Sequence, residues 1–132
     1  MRGVRSCFAV AFVAAVACVV VAEAGAALSP GVYQARVTGA TPAILNGTWE
    51  IDLGAGRYEI KRNGANAVDG KASIRGNTLT FSDVAGPFRC LGAQAKGSYR
   101  WTLSGKTLTL AVMHDPCAGR KAVLVRTFSK KA

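Results

Sequence analysis

The chain has one histidine, His114, among 132 residues and only seven acidic side chains. These scarcities exclude much chemistry. A nucleophilic triad needs a base oriented by a carboxylate. The nearest candidate is the direct neighbour Asp115, too constrained in the chain to serve. No serine lies in a nucleophile-elbow context. One histidine with the cysteine pair Cys90 and Cys117, expected to be disulfide-bonded, does not make a zinc site. The acidic residues are scattered, with no close pair of the kind a glycosidase uses. The expectation is a non-enzymatic protein, with no cofactor and no metal.

Long apolar runs are also scarce. The only one lies at the start, where Arg2 and Arg5 precede an uncharged stretch from Cys7 to Ala22. Ala22-Glu23-Ala24 then places small residues at the two positions read by a signal peptidase, completing a secretory pattern. The run falls short of the roughly 20 apolar residues of a membrane span. The expectation is a leader over residues 1–24 and one domain over 25–132, secreted or periplasmic. An uncleaved anchor is the alternative. Cleavage leaves 108 residues and lowers the net charge from +10 to +9. It also removes Cys7 and Cys18, leaving Cys90 and Cys117 as one pair in an oxidising compartment. Their disulfide would close a 27-residue separation and stabilise the fold by roughly 3–4 kcal/mol. Two buried free thiols are the alternative.

Helical periodicity is missing as well: no window beyond the leader keeps a convincing 3.6-residue repeat. Two-residue alternation takes its place. Trp49, Ile51 and Leu53 alternate with polar residues, as do Tyr58 and Ile60, Leu79 and Phe81, Tyr99 and Trp101, and Leu108 and Leu110. This is the pattern of strands buried on one face. Gly47-Thr48-Trp49-Glu50-Ile51-Asp52-Leu53 also returns 50 positions later as Gly97-Ser98-Tyr99-Arg100-Trp101-Thr102-Leu103. Eight strands are expected over 31–38, 47–53, 56–62, 67–75, 77–83, 97–103, 106–113 and 121–128. Tight turns should join strands two to three, four to five and six to seven, with longer loops elsewhere. In a meander, all the tight turns then share one end and all the longer loops the other. Both cysteines fall at the long-loop end, which makes their pairing plausible, with Cα atoms about 5–6 Å apart. The fold class is all-β: an eight-stranded antiparallel up-and-down barrel, which removes exposed edges.

Gly31-Val32-Tyr33, the strand starts at Gly47 and Gly97, the Asp115-Pro116-Cys117 corner and Arg126 together resemble the calycin group. The likeness is to lipocalins and their small exported bacterial relatives, over roughly 31–128. Lipocalins open their first strand with Gly-x-Trp, and an arginine of the last strand packs across that ring. The resemblance implies that Tyr33 stands in the tryptophan's place and that Arg126 packs on it. The tight-turn end would then be the closed base and the long-loop end the mouth.

The inward phase comprises Tyr33, Trp49, Ile51, Tyr58, Ile60, Ile74, Leu79, Phe81, Tyr99, Trp101, Leu108, Leu110 and Leu124. These residues form either an ordinary packed core or an apolar cup, with any cavity small and nearer the mouth. In the cup reading Trp49, Tyr58, Tyr99 and Trp101 contact a small apolar or amphipathic ligand, and Arg89 and Arg120 stand at the rim. In a second reading the barrel is filled, and residues 25–30 with the loop 84–96 engage an exported protein, as lipocalin-like metalloprotease inhibitors do. The basic residues are spread along every strand with no dense stripe, which favours a solvated outer face over nucleic acid or another polyanion. A monomer with no membrane anchor after cleavage is expected.

Overall fold

The structure is a computed structural model that describes residues 27–132; the expected leader lies outside the described residues. Eight strands follow one another: β1 Gly31–Val37, β2 Gly47–Gly54, β3 Arg57–Arg62, β4 Ala65–Arg75, β5 Thr78–Ala85, β6 Lys96–Ser104, β7 Thr107–His114 and β8 Thr127–Lys130. Each pairs antiparallel with the next, and β8 returns to β1 to close the barrel. The alternation read from the sequence is the physical basis. Side chains at every second position point to one side of a pleated strand, and closure turns that side into a single core. Tyr33, Ile51, Leu79, Phe81, Tyr99, Leu108, Leu110 and Phe128 are fully buried there. Phe81 sits edge-to-face between Tyr58 and Tyr99, with ring centroids 4.8 and 5.7 Å away.

Four expectations need correction. The connection between β3 and β4 is a two-residue turn, Asn63-Gly64, rather than a longer loop. Both residues have positive φ, 50° and 84°, which an Asn-Gly pair tolerates and which suits the twist of a hairpin. Ile74 has the inward phase, opposite Leu79, yet is 47% exposed. The β4–β5 hairpin projects past the start of β3 at Arg57, so β3 offers no neighbour beside Ile74. The segment read as an eighth strand over 121–128 begins as a helix, α1 Ala118–Leu124, and the strand itself starts only at Thr127. Seven residues are under two turns, too few for a period to emerge, although Arg120, Val123 and Leu124 do bury one face at i, i+3 and i+4.

The fourth correction concerns the base. Arg126 does not pack on Tyr33. Its Nε and Nη2 donate to the carbonyls of Val123 and Ala122, both at 2.7 Å, and so cap the end of α1. The cation over the Tyr33 ring is Lys130, 5.9 Å from the centroid. The tight-turn end is closed instead by the segment before β1, where Leu28 is buried and Ser29 accepts the Tyr33 hydroxyl at 2.7 Å.

The long-loop end is capped rather than open. A short 3₁₀ turn, Ala43–Leu45, sends Leu45 into the core, and α1 adds Val123 and Leu124. Cys90 and Cys117 form a disulfide at this end, with Cα atoms 6.2 Å apart, tying the loop after β5 to the start of α1. Among the described residues no helix is long and apolar enough to cross a membrane. If α1 seals the barrel, Leu124→Ala should cost about 2–5 kcal/mol in urea unfolding. Ile74→Ala, at the protruding tip, should cost less than about 0.5 kcal/mol. Equal costs would contradict this packing.

Candidate functional site

Beneath α1 the packing is incomplete, leaving a cavity of about 80 Å³. Its apolar walls are Leu45, Trp49, Ile60, Val68, Phe88, Val123 and Leu124, with the disulfide at one side and Asp83 and Arg120 at another. The Trp49 indole is fixed twice. Its Nε1 donates to the Leu45 carbonyl at 2.7 Å, and Phe88 meets its ring edge-on at 5.6 Å. Arg62 covers the outer face of Phe88 at 6.0 Å and donates to the Asn46 carbonyl at 3.0 Å.

Beside the cavity lies a buried ion cluster centred on Arg120. Its guanidinium donates four hydrogen bonds and makes one further ion-pair contact. Nε and Nη2 take the two oxygens of Asp115, both at 2.7 Å. Nη1 reaches the Ala95 carbonyl at 2.8 Å and Asp83 at 3.1 Å, and Nη2 also donates to the Gln94 carbonyl at 2.9 Å. The carboxylates are satisfied in turn. Asp83 accepts the Tyr58 hydroxyl and the Cys90 amide, and Asp115 accepts the Tyr99 hydroxyl and the Cys117 amide. The side chains of Arg120, Asp83 and Asp115 are all at most 3% exposed. Gly97 makes room for the cluster: a Cβ there would lie 2.5 Å from Asp115 Cγ and 2.8 Å from Arg120 Nη2.

Burial shapes the titration of Tyr58, Tyr99, Asp115 and Arg120. Desolvation and the hydrogen bonds to Asp83 and Asp115 raise the Tyr58 and Tyr99 hydroxyls far above the usual tyrosine range. Burial would by itself raise the Asp115 carboxyl. The Arg120, Tyr99 and Cys117 hydrogen bonds outweigh it and hold the group below its ordinary value. Arg120 stays charged, because its carboxylate partners outweigh desolvation.

The six side chains expected to contact a ligand therefore scatter. Trp49 and Arg120 border the cavity. Arg120 is no rim residue, being buried and ion-paired. The hydroxyls of Tyr58 and Tyr99 are committed to the carboxylates. Trp101 lies near the opposite end, where its Nε1 donates to the Gly76 carbonyl at 3.1 Å. Arg89 is exposed and bonds only its own turn, to Gly86 at 3.0 Å. The sequence reading missed the apolar wall made by Leu45, Val68 and Phe88, which come from three separate segments. It also missed the Asp83–Arg120–Asp115 cluster. Its one local signal is Asp115 two residues before Cys117 and five before Arg120. Among the described residues no group of His, Cys, Asp and Glu is arranged to hold a metal ion.

No family model matches the chain, and no curated protein or solved structure is significantly similar to it.

Two outcomes test the cluster. Arg120→Met leaves two buried carboxylates without their cation and should cost about 3–5 kcal/mol. Stability should also form a plateau in pH. Asp115 has a lowered folded value, so its contribution is complete above about pH 4 and is lost as pH falls through that value. Tyr58 and Tyr99 have raised folded values, so their contribution holds below about pH 10 and declines above it. Urea midpoints measured from pH 2 to 11 should show both shoulders. Arg120→Met should flatten the acid one.

Proposed function

We propose that the protein is an exported, non-enzymatic binding module, a bacterial relative of lipocalins, that holds a small apolar molecule under α1. One observation carries the reading: the apolar cavity on the Trp49 face at the capped end of the barrel. The leader-like residues 1–24 and the Cys90–Cys117 disulfide support export. The volume restricts the occupant. Pockets for drug-sized ligands run from about 300 to 1,000 Å³, and an engineered cavity that takes benzene or xenon is about 150 Å³. A space of about 80 Å³ suits a ligand of a few heavy atoms unless α1 lifts. The polar groups at its edge already satisfy one another, which favours an apolar over an amphipathic molecule.

Contact with another exported protein is the second reading. Val84 and Leu91, at the two sides of the loop after β5, are 60% and 63% exposed. The segment before β1 is less suited to that role, because Leu28 is docked in the core.

The two tryptophans separate the readings. Under xenon pressure, fluorescence of a Trp101→Phe variant, which keeps Trp49 at the cavity, should change saturably. A Trp49→Phe variant, reporting from Trp101, should not respond. Silence from both variants would end the cavity reading and leave the loop surface as the place to look.

A further inference from the structure

The barrel is closed least completely between its first and last strands. Their ladder pairs only Tyr33 with Lys130 and Gln34 with Ser129, although β1 runs on to Val37 and pairs with β2 along its whole length. The cause lies in the preceding connection. α1 and the turn after it use residues 118–126, so β8 is only four residues long. Alternate residues of an antiparallel strand direct their backbone groups to the same side. Val32 accepts the Lys131 amide at 2.8 Å, so Val32, Gln34 and Arg36 all face β8. The Arg36 backbone therefore faces a stretch of seam that the ladder does not reach.

A groove of about 550 Å³ runs along this seam. Arg36 lines it from one side and Arg126 and Lys131 from the other, with the hydroxyls of Thr127 and Ser129 between them and no carboxylate among the lining residues; Lys130 borders it as well, but its ammonium lies over the Tyr33 ring. The distribution of acids explains why. Residues 27–132 contain six. Asp83 and Asp115 are buried against Arg120. Asp52, Glu59 and Asp69 stand directly opposite one another across β2, β3 and β4, and none of them lines the groove. Glu50 pairs with Lys131 at 2.7 Å, but both side chains are partly solvated and the pair neutralises only one charge. Arg126 keeps Nη1 beyond its two bonds to α1. Like charges gathered in one groove repel, and an anion relieves that repulsion.

We propose that the β1–β8 seam is a binding site for phosphate groups, separate from the cavity under α1. Guanidinium and ammonium groups on both sides, with hydroxyls and a backbone edge between them, suit an anion with several oxygens and more than one charge. The groove's volume exceeds what one phosphate fills, so a short phosphate chain fits it better than the free ion.

Calorimetric titration of the oxidised protein with sodium tripolyphosphate is expected to saturate at one equivalent, with the amides of Arg36, Thr127 and Ser129 shifting most by NMR. Arg36→Gln combined with Lys131→Gln should weaken binding about tenfold. Removal of the same charge from other faces, by Lys71→Gln with Arg100→Gln, should change it less than about twofold. Inorganic phosphate binding nearly as well would assign a single-phosphate site, whereas binding of the chain alone would assign a polymer-borne source. Equal weakening by both double variants, or shifts without saturation, would overturn the site and leave only the attraction of a basic protein for anions.

Discussion

A guanidinium taken out of water loses several kcal/mol of hydration, and so does each carboxylate buried with it. The fold offsets this loss around Arg120 with four hydrogen bonds and a second ion pair, and it gives every carboxylate oxygen a donor. The partners come from β3, β5, β6, the end of β7 and the loop between β5 and β6. One side chain on a seven-residue helix is thereby tied to four of the barrel's eight strands. A helix that short has little stability of its own. Its position depends on this cluster, on the adjoining disulfide and on the apolar contacts of Val123 and Leu124. Whether a cluster of this kind adds net stability over an apolar core varies from protein to protein. What it supplies here is a fixed place for α1, because a displaced Arg120 would leave two buried carboxylates unpaired.

Two features at opposite sides of α1 follow from that placement. On its inner face the helix meets Trp49 and Phe88 without filling the space between them, and a small cavity remains. On the chain's outward path the helix uses up residues that would otherwise extend the last strand, and the β1–β8 seam is left short. The two candidate sites are products of one local choice of helix over strand. Their chemistries differ because their surroundings do. The cavity is apolar, and its charges are mutually neutralised. The seam is exposed, and its cations have few local counter-charges.

The charge layout has a cost elsewhere. Asp52, Glu59 and Asp69 lie side by side across three strands, where like charges directly opposite are unfavourable. Asn66 moderates this by donating one Nδ2 to both Glu59 and Asp69, at 3.0 and 2.9 Å. A molecule with ten more basic than acidic residues thus still has an acidic side. A sum over the sequence hides this polarity, since residues adjacent on the barrel are far apart in the chain.

The sequence by itself determined the barrel. Alternation at Trp49–Leu53, Tyr58–Ile60, Leu79–Phe81, Tyr99–Trp101 and Leu108–Leu110 is a local signal, and loop lengths place both cysteines at one end. These suffice because strand burial and meander order depend on short-range pattern. The tertiary structure decided what closes the ends. Residues 118–124 are too few to declare a period, and their helix is held by Asp83, 37 positions before Arg120. The lipocalin-like pairing of Tyr33 with Arg126 gave way to Lys130, because the strand begins later and shifts its register. Ile74 kept its phase but lost its cover, since burial depends on a neighbouring strand's length. The cavity and the basic seam were likewise beyond reach of the sequence. The cavity joins residues up to 79 positions apart and the seam residues up to 97 apart, and only closure of the barrel brings those segments together.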